Sequence, residues 1–548
     1  MLGSLTAVAR TTLSALENPS TRRVQLAFLI AFMVDSAMLV LLAVTAFTAA
    51  GPVGVAAVGV ARVGTSLAFG FLSATPLARW RADRLLLAIG LVRGMAAAGA
   101  IVVIAVGGDL IGLVVVAAVA GATVGILAPA QSMLLPALAR TPEELVTANG
   151  ASSAAEAMGT FIGPLTAALF IAMGMPALVA ATAIVAQIVG IAALREIHFE
   201  DQAYARGPSR PSVGRGLALG SGIQAIRRRP VIAIVIVAFG LQTMVRGLLT
   251  TLVVVLSVNL IHLGEAGVGL LGAAMGVGGI GGLLVGLALR RSGPSAFALS
   301  LAFWGLPISV IGLVPLPIVA VLAFVVTGLS NALLDVVGLT MLQRGCRNEQ
   351  RGAVFALFEG AAALFAIIGY LLAPTLIALA GVQGAFVVTG AVLPVAAAII
   401  WLLLRRYPEI EAVPWPLVER LRAVPAFRVL PLTGIERLLS AAVPVSFDVG
   451  DVLMAKGAPG DTFLVIDSGE AAVTDGERSL GTVGPGAGIG EIALLRGGIR
   501  TATVTALTEV HAQSFDAGSF LAAVSGPAAM EATSVILLER LARSAEVA

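Results

Sequence analysis

The chain has little that ionises and almost nothing that oxidises or binds metal. Of its 548 residues only 12% are charged, three are histidines and one, Cys346, is a cysteine. A single cysteine forbids an intramolecular disulfide, and Cys346 lies beside a polar loop rather than among metal-ligating residues, so redox and metal chemistry are not expected. None of the histidines, His198, His262 and His511, falls in the middle of an apolar run, so a proton carrier within such a run would have to be Asp or Glu. Lysine is nearly missing too: Lys456 is the only one, and the other basic residues are arginines in a background of Ala, Gly and Val. The net charge of +3 and pI near 9.6 come from arginines scattered over short loops, with no basic stripe interleaved with aromatics, so nucleic acid is not an expected partner. What is abundant is apolar: 58% hydrophobic residues and a mean hydropathy of +1.00 exclude an ordinary globular protein.

Runs of mostly apolar residues, each near the roughly 20 needed to cross about 30 Å of hydrocarbon, fall at 25–49, 53–76, 85–107, 110–136, 148–172, 175–194, 230–258, 266–289, 295–314, 317–342, 352–379 and 382–404. The pattern predicts an α-helical membrane protein of twelve spans embedded in a lipid bilayer, with an N-terminal half at 25–194 and a C-terminal half at 230–405. With residue 1 inside, the inner segments hold Arg22, Arg23, Arg79, Arg81, Arg84, Arg140, Arg227, Arg228, Arg229, Arg290, Arg291, Arg344, Arg347, Arg351, Arg405 and Arg406, and the outer loops hold no lysine or arginine. That asymmetry predicts both termini in the cytoplasm and a multi-pass protein of the cytoplasmic membrane. The leading segment, 1–24, lacks the apolar core and cleavage site of a signal peptide, so the first span is expected to serve as the insertion signal and to stay in place.

The two halves flank a polar loop, 195–229, rich in Gly, Arg and Pro, and they repeat one another. "GASSAAEAMGTFIGPLTAAL" begins at Gly150 and "GAAALFAIIGYLLAPTLIAL" begins 210 residues later at Gly360; Gly150, Gly159 and Pro164 align with Gly360, Gly369 and Pro374, while Gly163 becomes Ala373. Small residues let helix backbones approach, and a proline bends a helix by removing one hydrogen bond. Gly150, Gly159, Gly163 and Pro164 stand at the spacing of the fifth-helix exporter motif of the major facilitator superfamily, which the chain resembles; Ala167 and Ala168 replace the last two glycines of that motif. The resemblance implies two six-helix halves around a central cargo cavity. Between the second and third spans, "RWRADRLLLA" keeps only Asp83 and Arg84 of the family's latch motif, and "ADRLLLAIGLVRG" resembles the branch that includes siderophore exporters, with Arg93 as the inner arginine of the third helix.

Ionisable groups inside a bilayer are costly, so each is a candidate for function. Asp35, Arg62 and Arg246 fall near the middle of the first, second and seventh spans and are expected to meet near a cavity; Arg93, Glu156, Asp335 and Glu359 lie nearer the cytoplasmic ends, as an inner gate or proton relay. Aligning "AFMVDSAM" with "AFGLQTMV" places Gln242 opposite Asp35, and Arg246 follows one helical turn later on the same face. Internal pairing that holds helices together is the equal alternative for any one of these residues. Charges of both signs fit an amphipathic, zwitterionic or anionic cargo.

After Arg406 the hydropathy falls, a proline-bearing linker at 406–428 follows, and short alternating segments with recurrent glycines predict a small antiparallel β-roll with flanking helices at 429–548. Within it "GEIALLRGGIRTATV", 490–504, predicts a short helix between two strands whose free N–H groups face an anion, with Arg500 offering a charged fork to phosphate and Glu491 an acceptor for a ribose hydroxyl. Gly490, Glu491, Ile492, Ala493, Leu494, Arg500, Thr501 and Ala502, together with the turn glycines Gly450, Gly460 and Gly469, resemble the phosphate-binding cassette of cyclic nucleotide-binding domains; Ile489 stands where an aromatic residue is usual. The resemblance implies that Glu491 takes the ribose 2′-hydroxyl, Arg500 the cyclic phosphate, and that Thr501 adds a hydroxyl near phosphate and base. cAMP is the preferred regulatory ligand, with cGMP possible, and no cofactor is expected. The apolar stretch "MEATSVILLERLAR" is expected to cover the base, and since no helix-turn-helix follows, a transcription factor is not expected.

The expectation is therefore a non-enzymatic transporter, an exporter or flippase of a small molecule or lipid, adjusted by a cytosolic cyclic nucleotide. A membrane-tethered nucleotide sensor without transport, or a transporter with a non-binding roll, are the alternatives; an ion channel fits least, because no span is followed by a pore loop.

Overall fold

The computed structural model describes residues 19–73, 82–138, 142–195, 223–224, 226–227, 229–288, 293–346, 351–406, 421, 427, 435, 438–439, 441–496 and 498–524. They fall into two compact units, Met1–Glu411 and Ala412–Ala548.

The first unit is all helix: α1 (Pro19–Ser73), α2 (Ala82–Ala105), α3 (Leu110–Leu138), α4 (Pro142–Ala172), α5 (Ala177–Arg195), α6 (Pro230–Val255), α7 (Ala266–Ala288), α8 (Pro294–Leu313), α9 (Pro317–Gly345) and α10 (Arg351–Leu404). Among the described residues nine helices are long and apolar enough to cross a membrane, and Ala266–Gly282 of α7 is a shorter apolar one. The two longest are each broken in the middle. Ala50 and Gly51 leave helical geometry, Gly51 at φ 62°, just before Pro52, and Gly381 does the same at φ 68°. Glycine alone enters that region without steric cost, and Pro52 has no N–H to continue the ladder. Helix starts follow the same chemistry: Pro230, Pro294 and Pro317 open α6, α8 and α9, where the missing N–H costs nothing. A π-helical turn, Leu256–Leu260, extends α6.

Packing repeats between the halves. Both α1 and α4 lie together in the first half, as do α6 and α10 in the second, and the halves meet where α4 packs on α7 and α10 on α1. The glycines of the repeat make these approaches. A Cβ on Gly159 would lie 2.6 Å from Phe32, and one on Gly163 would lie 2.3 Å from the Met33 carbonyl, both on α1. Its counterpart Gly369 presses on α6 in the same way, 2.0 Å from the Met244 carbonyl. Pro164 faces α7, with Gly269 and Gly272 against it. Across the other seam Tyr370 is buried and lies so close to Gly59 that a Cβ there would come within 2.2 Å of the ring. Gly150 lies within α4, and Asp83 and Arg84 lie in the first turn of α2, where Arg84 is exposed.

The second unit is a β-roll of two four-stranded antiparallel sheets. Its strands are β1 (Val443–Phe447), β2 (Val452–Met454), β3 (Thr462–Ser468), β4 (Ala471–Asp475), β5 (Arg478–Val483), β6 (Gly488–Ile489), β7 (Thr503–Ala506) and β8 (Val510–Asp516), with α11 (Glu491–Arg496) and α12 (Ala517–Val524). The sheets run β1-β8-β3-β6 and β2-β7-β4-β5. Between them lie Met454, Leu464, Ala471, Ile489 and Val504. A second cluster stacks Phe427, Phe463, Phe515 and Phe520, with Phe463 and Phe520 centroids 4.5 Å apart. Leu421 and Phe427 are buried in that cluster, so the segment expected as linker, 406–428, is in part core, Phe427 packing edge-on against Phe463, Phe515 and Phe520. The expected cover at 530–543 and most of the 195–229 loop lie outside the described residues.

Candidate functional site

In the roll, the glycine-acid-arginine pattern becomes one compact pocket wall. Gly490 sits at φ 98° between β6 and α11, and Glu491 opens α11 with its side chain 4% exposed. Arg500 folds back over this turn, 5% exposed. Its Nη1 donates to the Gly490 carbonyl at 3.1 Å, and its Nη2 donates to the Thr462 carbonyl at 2.6 Å and to Thr462 Oγ1 at 3.0 Å. Position 490 has to be glycine for this, because a Cβ there would fall 2.4 Å from Arg500 Nη1. The backbone of Arg500 is held too: its N–H donates to Ala458 O at 2.8 Å and its carbonyl accepts from Gly457 N at 2.9 Å. Asp461 stands 3.7 Å away but is exposed, so it is a weak partner. Burial pulls the Arg500 guanidinium below its ordinary value and the carboxylates of Asp461 and Glu491 oppose the shift; it stays charged at any physiological pH. Three of its five N–H donors are used internally, so two remain for an anion. Thr501 is exposed beside it, Ile492 and Ala502 are half-buried, and Ala493 is buried against Gly460, where a Cβ would meet it at 2.3 Å. That Arg500 donates to the Thr462 and Gly490 carbonyls was not legible in the sequence, because Thr462 opens β3, far from the cassette in the chain.

In the helical unit the ionisable residues form two groups, divided differently from the expectation. Arg62 Nη2 donates to Asp35 Oδ2 at 2.6 Å, and both side chains are largely covered. Arg246 does not join them. Arg93 does stand near Asp35, buried, with Nη1 donating to Ala31 O at 2.6 Å and Nε to Thr123 Oγ1 at 2.9 Å. It was expected with Glu156, Asp335 and Glu359; depth along a span does not fix the direction a side chain takes, and Arg93 points into the first half.

The second group centres on Asn331, an uncharged residue of α9. Its Oδ1 accepts from Gln242 Nε2 at 3.2 Å, from Trp304 Nε1 at 3.0 Å and from Arg246 Nη2, and its Nδ2 donates to Asp335 Oδ2 at 3.0 Å. Three donors and one acceptor fix which way the amide points. Gln242 and Arg246 thus share one partner. Glu156 of α4 interacts electrostatically with Asp335 and Arg246, and Glu359 of α10 with Asp335. Arg246, Glu156 and Glu359 are exposed, in contrast to Gln242 and Trp304. No group of three His, Cys, Asp or Glu able to hold a metal occurs among the described residues.

Fold and pocket together define the class: a multi-pass helical membrane protein with a cyclic-nucleotide-type β-roll. Residues 290–447 match the model of the Major Facilitator Superfamily and residues 444–526 the model of the cyclic nucleotide-binding domain, so the chain carries both domains. Curated relatives match about a fifth of the chain. They include the cGMP-dependent 3′,5′-cGMP phosphodiesterase A of Dictyostelium discoideum, 33% identical over 19% of this chain and 12% of the relative, and the acetyltransferase Pat of Mycolicibacterium smegmatis, 36% identical over 20% of this chain and 34% of the relative. The chain therefore spans about an eighth and a third of their lengths. Similar solved structures include the regulatory domain of Toxoplasma gondii PKA with cAMP, 29% identical over 19% of this chain and 42% of that chain, TM-score 0.19. The N-terminal domain of a transcriptional regulator from Streptomyces coelicolor is 32% identical over 23% of this chain and 92% of that chain, TM-score 0.19.

Proposed function

We propose that the protein is a transporter of the cytoplasmic membrane, with twelve spans and both termini inside, exporting or flipping an amphipathic or charged small molecule or lipid under control of a cyclic nucleotide. The observation that carries the regulatory half is the Arg500 guanidinium, buried and pre-oriented beside the Glu491 carboxylate with two donors to spare. A cyclic phosphate would take those donors, the Glu491 carboxylate the ribose 2′-hydroxyl, and Thr501 would stand beside phosphate and base. cAMP is the proposed messenger and cGMP the comparison, the latter because the Dictyostelium relative is named for it. The transport half rests on the match of residues 290–447 to the Major Facilitator Superfamily and on Glu156 of α4, exposed, which interacts electrostatically with Arg246 and Asp335 of the second half. Nucleotide binding would shift the inward-to-outward balance by about 1–3 kcal/mol, enough to modulate transport rather than switch it. The test is calorimetry of cAMP and cGMP on the purified full-length protein, followed by flux in reconstituted vesicles with and without the bound nucleotide. Binding without any change in flux would refute regulation, and no binding of either would refute the sensor.

A further inference from the structure

We propose that the cargo site is the mixed-charge cluster around Arg246 and that it takes a zwitterion, a group carrying a cationic nitrogen and an anionic oxyacid a few ångströms apart; the inference rests on the transporter reading above. The two halves treat their guanidinium groups differently. In the first, Arg62 is neutralised by Asp35 at 2.6 Å, and Arg93 is buried on Thr123 and Ala31 O, so neither is available to a cargo. In the second, Arg246 has no carboxylate within ion-pair distance among the described residues and is held by a neutral amide, Asn331 Oδ1.

That hold is made to be released. An amide oxygen has two lone pairs, and Asn331 Oδ1 has three donors on it. If Arg246 turns to an anionic group of the cargo, Gln242 and Trp304 saturate the acceptor it leaves, so no buried group is stranded. Arg246 interacts electrostatically with Glu156 from α4 and Asp335 from α9, of which Asp335 is engaged by Asn331 Nδ2. An anion alone would meet repulsion from these carboxylates, and a cation alone would leave Arg246 unmatched. A molecule with both signs satisfies both, and each single-sign competitor is rejected by an opposed charge. A free amino-phosphate or amino acid and the headgroup of a zwitterionic lipid share this chemistry.

The test uses full-length protein with Thr250→Cys, one turn from Arg246 on the same helical face, in a Cys346→Ser background. The timed quantity is labelling by a membrane-impermeant thiol reagent from each side of reconstituted vesicles. Millimolar phosphoethanolamine is expected to slow labelling about tenfold, whereas phosphate alone and ethanolamine alone are not, and Arg246→Gln or Glu156→Gln is expected to abolish the protection. Slow labelling in phosphatidylethanolamine vesicles against fast labelling in phosphatidylglycerol vesicles, with nothing added, would identify the lipid headgroup as the source. Fast labelling in both, slowed only by the free compound, would identify a solute. Labelling from both sides without protection, or equal protection by phosphate alone, overturns the zwitterion and leaves transport standing. Labelling from one side only overturns the transporter reading itself.

Discussion

Replacing Arg500 by alanine tests how the pocket is built, because the structure separates two losses. The first falls on the ligand. Two donors of a buried guanidinium are uncommitted, and charged hydrogen bonds contribute about 1.5–3 kcal/mol each, so losing both weakens nucleotide binding by about 3–6 kcal/mol, or two to four decades in Kd. The second falls on the protein. The carbonyls of Thr462 and Gly490 lose their donor, and stranding buried acceptors costs about 1–3 kcal/mol, which loosens the β3 start and the turn before α11 even without ligand. Arg500→Lys separates charge from geometry: one ammonium cannot reach Gly490 O, Thr462 O and a phosphate together, so an intermediate loss is expected. Calorimetry with cAMP and cGMP on the full-length protein reads the first loss, and hydrogen exchange at residues 462–466 and 488–492 reads the second. Glu491→Gln keeps the Arg500 hydrogen bonds and so guards against mistaking unfolding for lost recognition. Affinity of Arg500→Ala within about threefold of the parent, or Lys equal to Arg, would refute the reasoning.

Gly163→Val is expected to push α4 off α1, since even a Cβ would stand 2.3 Å from the Met33 carbonyl; vesicle flux should fall sharply while nucleotide affinity holds. Asp35→Asn or Arg62→Gln alone should destabilise by about 3–5 kcal/mol, because each strands a covered charge, and the double variant should recover much of the melting temperature. Gln242→Asp places a carboxylate one turn from Arg246, so the protection of Thr250→Cys by phosphoethanolamine should disappear without loss of thermal stability. Asp516 receives Ser519 N at 2.9 Å and Ser519 Oγ at 2.6 Å at the start of α12, and these bonds hold its carboxyl below the usual carboxylate value. A depressed value stabilises the fold above the unfolded pKa of about 3.9 and is lost as pH falls through the folded one, so exchange in α12, corrected for intrinsic rate, should quicken only in strong acid, and Asp516→Ala should show it at neutral pH.

What could be read from the sequence was what local chemistry dictates. The repeat at Gly159 and Gly369 was legible because both glycines meet the same steric demand, a backbone pressed against α1 in one case and α6 in the other. The cassette was legible because glycine, acid and arginine lie within eleven residues of one another. Both breaks in the longest helices were legible: the spans 25–49 and 53–76 part at Gly51 and Pro52, and the spans 352–379 and 382–404 part at Gly381. The grouping of the intramembrane charges was not legible. Arg93 was placed with the carboxylates by its depth, yet it bonds Thr123 and Ala31 O, since azimuth around a helix is set by neighbours far away in the chain. Asn331 and Trp304 carry no charge, so a search for ionisable residues passes them by, and only the convergence of α6, α8 and α9 makes them a hub.

The halves share a scaffold and differ in where their charge is spent. In the sequence Gln242 aligns with Asp35 of the first half. With a carboxylate there, the neighbouring guanidinium of Arg62 is closed into a pair; with a carboxamide, Arg246 keeps its charge and is only parked on Asn331. Repetition explains the tight helix approaches, because backbone sterics recur wherever the same small residues recur. Function has to come from the departures, since a cavity with two identical self-neutralising halves would offer a cargo nothing to exchange. Arg246 is thus left exposed, without a carboxylate at ion-pair distance among the described residues and with Glu156 of α4 interacting with it from the other half.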